Sequence, residues 1–197
     1  MSFHRTRCAH CRARFTPERP GQIVHVECVE AWTEAQAAKR ERAEAKAARA
    51  AAKMERAETR KRREAIKTLP VLKAEAQAAF NRYIRLRDAG KPCICCGQPL
   101  SAGDVGGSYD CGHYRSVGSA PQLRFDENTA HAQRKQCNRW GAGRAVDYRL
   151  GLIQRIGLAA VEALEADNEP HKWTREELTA IRDTYRQRLK QIKKWKP

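Results

Sequence analysis

The sequence lacks the apolar segments that would place it in a membrane. No stretch reaches the roughly 18 apolar residues that a membrane-spanning helix needs, and the first residues carry no apolar run typical of a signal peptide. We therefore expect an intracellular, cytoplasmic protein. Aromatic residues make up only 7% of the chain. So few aromatic residues give little support to one possible function, that of an RNA-binding protein that reads single strands by stacking on their bases.

Acidic residues are too few to balance the basic ones. The chain has 23 Asp and Glu against 39 Lys and Arg, a net charge of +16. Such a chain repels itself and usually has a polyanionic partner. We expect nucleic acid. An anionic membrane surface and a merely solubilising charge are the weaker alternatives.

The cysteines occur in close-set pairs, which in a reducing compartment indicates metal ligands rather than disulfides. Cys8 and Cys11 form one pair, and His25 and Cys28 form a second with the same spacing. Two such pairs supply the four ligands of a closed, structural zinc site. His10 competes with His25 as a ligand, and we favour His25 because it completes the second pair.

A second cluster of ligands is incomplete. Cys93 and Cys96 form another pair, and Cys137 lies about 40 residues further on. The position that would complete a pair with Cys137 holds Arg134. Three zinc ligands are clear, and either a fourth comes from elsewhere or the site has no metal. The candidates for the fourth ligand are Cys95, Cys111 and His131.

Composition divides the chain into four regions. We expect a zinc knuckle in 1–30, a long charged helix or linker in 31–68, a core with a second zinc site in 69–145, and a helical region in 146–197. The second region is built from Ala, Glu, Lys and Arg, which are good helix formers, and lacks the apolar positions of a coiled coil. Two compatible interpretations are a solvated spacer and a basic rod that lies along phosphates. The expected fold class is α+β, mostly helical.

Three amphipathic stretches are predicted in the second half. The first runs over 71–89 and ends at Gly90. The last begins with a capping box of Thr174 and Glu177, and its polar face is expected to carry Arg182. Its apolar stripe consists of Leu178, Ile181, Tyr185, Leu189 and Ile192. The middle stretch is interrupted by Gly157, and its expected apolar residues are Val146, Leu150, Ile153, Val161 and Leu164.

The central motifs resemble those of the NinG (Rap) recombination proteins of lambdoid phages. The matching runs are Cys93 to Gly97, Asp110 to Arg115, Ala120 to Phe125, His131 to Gln133, Cys137-Asn138 and His171 to Thr174. The chain departs from the family at Arg134, where a cysteine is usual, at Thr129, where an asparagine is usual, and at Ala142 to Arg144. The family is itself similar to phage endonuclease VII and the HNH nucleases.

The resemblance implies a ββα-metal nuclease core beside a structural zinc. His113 is the candidate general base, because a neutral imidazole can activate water near neutral pH. Asp110 and Asn138 are the candidate ligands of a catalytic Mg²⁺ or Mn²⁺, which oxygen atoms suit. For all three residues a purely structural role is the alternative. The expected DNA contacts are Tyr114, Arg115, Arg124, Arg134 and Arg139.

The function implied is a structure-specific endonuclease that acts on branched DNA of the Holliday-junction type, encoded by a phage and working inside its bacterial host. The alternative is a zinc-stabilised protein that binds branched DNA and promotes recombination without cutting it. A homodimer is expected from function, because a resolvase cuts two strands symmetrically. Phage or host recombination proteins are further expected partners.

Overall fold

The computed structural model describes residues 7–100 and 109–195, with side chains as far as Ile192. The chain forms two compact units, one ending at Ile66 and the other beginning at Lys67. The helices are α1 (Val29–Ala65), α2 (Leu69–Arg87), α3 (Ala145–Ile156), α4 (Leu158–Ala166) and α5 (Arg175–Trp195). The strands are β1 (Tyr109–His113) and β2 (Ala130–Arg134). The predicted α+β class with mostly helical content is confirmed.

The first unit consists of the N-terminal segment and α1. The helix is 37 residues long, about 55 Å at ~1.5 Å per residue, and within the described chain it buries none of its side chains. Its Ala, Glu, Lys and Arg residues form a helix by local propensity and not by packing. The predicted long charged helix is therefore confirmed. No helix in the described ranges is both long and apolar enough to span a bilayer.

The core of the second unit lies where α2 packs against α5 and the sheet. Leu72, Ala76 and Phe80 of α2 are buried together with Leu178 and Tyr185 of α5, as the apolar periodicity predicts. The capping box of α5 is also present, because Thr174 N donates to Glu177 Oε2 at 2.8 Å and Glu177 N to Thr174 Oγ1 at 3.2 Å. These local signals predicted both helices correctly.

Arg182 corrects the polar face predicted for α5. Its side chain is buried, with only 4% of the residue exposed. Its guanidinium donates to Glu75 of α2 at 2.9 Å and to the neighbouring Asp183 at 2.8 Å. A long charged side chain is tolerated inside when its charge is paired, so Arg182 belongs to the α2–α5 contact and not to the solvent.

The two strands form an antiparallel hairpin in which Asp110 pairs with Gln133 and His113 with Ala130. The other edge of β2 is covered at Ala132, whose N–H donates to the Asp88 carboxylate at 3.1 Å and whose carbonyl accepts from Ile94 N at 3.3 Å. A covered edge has no unpaired backbone groups. The segment that holds Cys93 to Cys96 is thereby fixed against the sheet.

Gly157 splits the middle amphipathic stretch into α3 and α4, with φ of +85° at the junction. The predicted apolar face of α3 is wrong at Val146 and Leu150, whereas Ile153 packs against the apolar core as predicted. Val146 and Leu150 are 76% and 57% exposed, whereas Tyr148 and Leu152 are buried. The helical period was correct but its phase was not, because the buried face is the one that meets the Ile94 segment.

Candidate metal centres and active site

The first cluster brings together all four predicted ligands. The ligand atoms of Cys8, Cys11, His25 and Cys28 lie within 4.8 Å of one another. His25 Nδ1 is 3.3 Å from Cys11 Sγ and 3.8 Å from Cys28 Sγ. His10, the competing histidine, is exposed and is not a member of this group. Three sulfurs and one imidazole nitrogen can hold a zinc ion.

Backbone amides of the first cluster point at its sulfur atoms. His10 N lies 3.4 Å from Cys8 Sγ. Burial opposes ionisation of Cys8, but hydrogen bonds from the backbone of Cys11, His25 and His10 outweigh it and lower the pKa of Cys8 to about 6. Stabilisation of the thiolate prepares the sulfur for a cation.

The second cluster gathers a different set from the one expected. Cys93, Cys95 and Cys137 have their sulfurs within 4.8 Å of one another. The three predicted ligands were Cys93, Cys96 and Cys137, and Cys95 was one candidate for the fourth. The Cys96 thiol interacts with that of Cys137, where it adds to the effect of burial in raising the pKa of Cys137. These cysteines can hold a zinc ion.

The other two candidates for the fourth ligand lie elsewhere. Cys111 belongs to the apolar core around Phe80, and burial raises the pKa of its thiol to about 12. His131 Nδ1 accepts from Arg87 at 3.0 Å and from Arg155 at 3.2 Å. Both side chains are therefore engaged in other parts of the described structure.

Asp110 and Asn138, the predicted cation ligands, are in contact. Asn138 lies in a π-helical turn, Gln136–Trp140, and its Nδ2 donates to Asp110 Oδ2 at 3.2 Å. Arg139 donates two hydrogen bonds, of 2.8 and 3.1 Å, to the same carboxylate. Partial burial opposes ionisation of Asp110, but the bonds from Arg139 and Asn138 prevail and lower its pKa. A carboxylate held ionised suits a cation.

His113 is held in one orientation at the end of β1. Its Nε2 lies 3.2 Å from the carbonyl oxygen of Arg124. Because a carbonyl only accepts, Nε2 carries the proton and Nδ1 keeps its lone pair. Burial lowers the pKa of His113 to about 4, so the ring is neutral at neutral pH. A neutral imidazole with a free Nδ1 can accept a proton.

Asn138 contacts Asp110 and lies in the same pocket as His113. Side chains alternate between the two faces of a strand, so Asp110 and His113 start from opposite faces of β1. His113 and Asn138 line one open pocket, which Cys111, Tyr114 and Gly143 also border. Asn138 therefore contacts Asp110 and lines a pocket with His113, whereas Asp110 is not one of the residues that line this pocket.

Four of the five predicted DNA contacts have partners inside the protein, and one of these is Arg139 on Asp110. The hydroxyl of Tyr114 donates to Glu165 at 2.5 Å. Arg115 donates to the carbonyl oxygens of Leu164 and Asp167 at 3.1 and 2.6 Å, near the end of α4. Arg124 donates to Gln77 Oε1 at 3.0 Å and to Val117 O at 2.9 Å.

These bonds fix the loop between the strands against its surroundings. The Arg124 bonds also hold in place the carbonyl that orients His113. Arg139 binds Asp110, and Arg134 is half-buried beside the second cluster. DNA contact by these five residues remains a prediction.

Two features escaped the sequence analysis. Asp88 is completely buried and accepts hydrogen bonds from Arg87 at 2.9 Å, in a cluster that includes His131 and Arg155. Burial of the carboxyl opposes ionisation, but the bonds and charge of Arg87 and the bond from the backbone N–H of Ala132 outweigh it and hold the pKa of Asp88 far below its usual range. Trp140 is 84% exposed in the turn that carries Asn138. Neither residue lies in a motif that sequence spacing would single out.

Comparison with known proteins identifies a family. A family model described as "Bacteriophage Lambda NinG protein" matches residues 2–195. "Protein ninG" of Salmonella phage P22 is 48% identical over 119 residues, which cover 60% of this chain and 56% of that protein. The same-named protein of Escherichia phage lambda is 45% identical over 60% of this chain and 56% of its own length. No solved structure matches the chain.

Proposed function

The chain belongs to the bacteriophage lambda NinG protein family, and from this premise we propose that it is a metal-dependent endonuclease that cuts branched DNA during phage recombination. The matched region spans little more than half the length of the P22 and lambda relatives. The proposal is therefore argued from this chain's own site. The proposed fold of that site is a ββα-metal core, made of β1, β2 and the segment that follows.

The state of His113 is the observation that carries the proposal. The ring is neutral, its Nε2–H is occupied by the Arg124 carbonyl, and Nδ1 is left as the proton acceptor. In hydrolysis, Nδ1 takes a proton from the water that attacks the phosphorus atom. The Arg124 bond holds the ring while this occurs, and it stabilises the imidazolium that forms.

Asp110 and Asn138 are the residues that would hold Mg²⁺ or Mn²⁺. Their oxygen atoms are of the type these cations prefer. The guanidinium now bound to Asp110 is evidence that the carboxylate accepts a positive charge at this place. The cation would stabilise negative charge on the phosphate and on the leaving oxygen. Arg139 would then be free to contact a neighbouring phosphate.

Zinc is proposed as a structural cofactor at both cysteine clusters. In the second cluster it would join the Cys93 segment to Cys137, directly before Asn138. The zinc would therefore hold the turn in which Asn138 meets Asp110. In the first cluster it would order the segment that precedes α1.

Two exposed surfaces suit DNA. The helix α1 carries eleven Lys and Arg against seven Glu, none of them buried, and such a charge favours phosphate contacts. Trp140, exposed beside the Asn138 turn, offers a ring on which an unpaired base at a branch point can stack. The preference for branched over linear DNA rests on the family resemblance.

The test compares a synthetic four-way junction with a linear duplex of matched sequence, with and without Mg²⁺. We expect Mg²⁺-dependent nicking of the junction, and a loss of roughly 10²- to 10⁴-fold in His113→Ala. His171→Ala serves as the control, because His171 lies outside the pocket, beside Trp173 and Glu177. Cleavage that is equal in His113→Ala and wild type would reject His113 as the base.

One observation favours a second function, branched-DNA binding without cleavage. Arg139 already occupies both oxygens of Asp110 with its guanidinium, so the site carries a built-in positive charge. Tight junction binding without cleavage in either Mg²⁺ or Mn²⁺ would establish this alternative. Size measurement of the complex would at the same time test the proposed homodimer.

A further inference from the structure

Each of the two cysteine clusters contains a backbone turn of the same type. Arg12 N donates to Cys8 O, and Gly97 N donates to Cys93 O, both at 3.1 Å. The φ angles of Arg12 and Gly97 are +66° and +67°. By this correspondence Cys93 and Cys96 hold the places of Cys8 and Cys11, and Cys95 holds the place of His10.

The second half of each cluster differs. In the first cluster His25 and Cys28 are three positions apart and both contribute. The matching pair in the second cluster would be positions 134 and 137, but Arg134 carries a cation and cannot bind a metal. The backbone N–H of Arg134 donates to Cys93 Sγ at 3.3 Å. Position 134 therefore borders the cluster, and only its side chain is unsuitable.

Cys95 supplies a further sulfur atom to the second cluster. Its Sγ lies 3.6 Å from Cys93 Sγ and within 4.8 Å of Cys137 Sγ. Gln133 is buried next to Arg134, and its Nε2 donates to Cys95 Sγ at 3.1 Å. A hydrogen bond to a ligand sulfur orients it and supports its negative charge. The corresponding His10 in the first knuckle is exposed.

We propose that Cys95 is a zinc ligand that replaces the thiol missing at position 134. The second site then uses Cys93, Cys95, Cys96 and Cys137, so that three ligands come from one knuckle and one from the turn. Four thiolates favour zinc over the hard cations. The inference rests on the zinc part of the proposed function and is independent of DNA cleavage.

The test counts zinc in the purified full chain and follows its thermal unfolding. Wild type is expected to hold two zinc ions, and Cys28→Ser one, because that change disables only the first site. Cys95→Ser should also hold one. The double variant Cys95→Ser/Arg134→Cys should return to two, because it restores two pairs of evenly spaced ligands. Cys111→Ala is the matched control for loss of a cysteine outside the cluster and should hold two.

Substitution of zinc by cobalt gives a second readout, because the sulfur-to-cobalt absorption bands weaken as thiolate ligands are lost. These bands should fall in Cys95→Ser and recover in the double variant. Two zinc ions in Cys95→Ser would overturn the assignment, as would a single zinc ion in wild type. Loss of zinc in Cys95→Ser without recovery in the double variant would overturn position 134 as the place that Cys95 replaces. None of these results depends on whether junction DNA is cut.

Discussion

The two cysteine clusters use the same turn in very different surroundings. Of the described residues before α1, Cys8 and Val24 are the buried ones. The second cluster adjoins an apolar core in which Ile94 packs with Leu123 and Tyr148. A metal held at the first cluster would therefore supply most of the folding free energy around it. At the second cluster a metal would join two segments of a unit that already has a core.

From the difference we infer that the same motif serves two purposes in this chain. The first cluster has two evenly spaced ligand pairs and is a self-contained structural element. The second has an uneven distribution of cysteines, and its last member, Cys137, immediately precedes the predicted cation ligand Asn138. We infer that the second cluster positions the proposed catalytic residue Asn138, while the first orders the segment that precedes α1.

Metal removal should separate the two clusters most strongly. After zinc is stripped with a strong chelator, backbone amides in 7–28 should lose all protection from hydrogen exchange, because little apolar surface is buried there. Amides of β1 and β2 should remain protected by the α2–α5 core. Added zinc should restore the first segment. Continued protection of 7–28 in metal-free protein would contradict the comparison.

Gly151→Ala should damage the second cluster through packing alone. A Cβ at position 151 would stand 1.8 Å from the carbonyl oxygen of Ile94, inside the knuckle. We expect a loss of about 3 kcal/mol in the free energy of unfolding, measured by urea denaturation. Gly90→Ala is the matched control, since it meets no atom within 4 Å. Equal stability of the two variants would show that α3 does not hold the knuckle.

The pocket beside the second cluster should respond to acid through His113. Its pKa falls from an ordinary 6.5 to about 4 on burial. The unfolded chain therefore takes up a proton at a higher pH than the folded chain does. The stability linked to this ring is present above pH 6.5 and is lost between pH 6.5 and 4, by about 2–3 kcal/mol.

His113→Asn lacks this titration but can still donate to the Arg124 carbonyl. The difference in unfolding free energy between wild type and His113→Asn should therefore shift across this pH range. Other titrating groups are common to both proteins and cancel. A difference that is constant from pH 7 to 4.5 would contradict burial of the neutral ring.

The shared turn predicts the smallest effects, and in opposite directions. Arg12 and Gly97 both have left-handed backbone angles, which favour glycine. Arg12→Gly should stabilise the first knuckle by about 0.5 kcal/mol, whereas Gly97→Ala should destabilise the second by about 1 kcal/mol. Thermal unfolding of zinc-loaded protein measures both. Effects of the same sign would show that the two turns are not equivalent.

Much of the fold could be predicted because its signals are local. Apolar spacing gave the buried residues of α2 and α5, and Thr174 with Glu177 gave the start of α5. The spacing of the first four ligands was also sufficient to choose His25 over His10. In each case the prediction depends on residues a few positions apart in the sequence. Apolar period, capping and the spacing within a ligand pair therefore determine the outcome.

The errors concern contacts between distant segments. Val146 and Leu150 are exposed because α3 turns Tyr148 and Leu152 toward the knuckle and the sheet. Arg182 is buried because Glu75, on another helix, pairs with it. Apolar periodicity predicts that a helix has a buried face, but it does not predict which other segment that face packs against.

The site divides in the same way. The kinds of ligand, the excess positive charge and the candidate histidine were evident from the sequence, because they depend on composition and on short spacings. Tertiary structure decided which thiols gather and that the Arg124 carbonyl leaves Nδ1 of His113 as the basic atom. These outcomes depend on packing between Cys95 and Cys137, and between β1 and its following loop. Such contacts bring together groups that no periodicity of the chain relates.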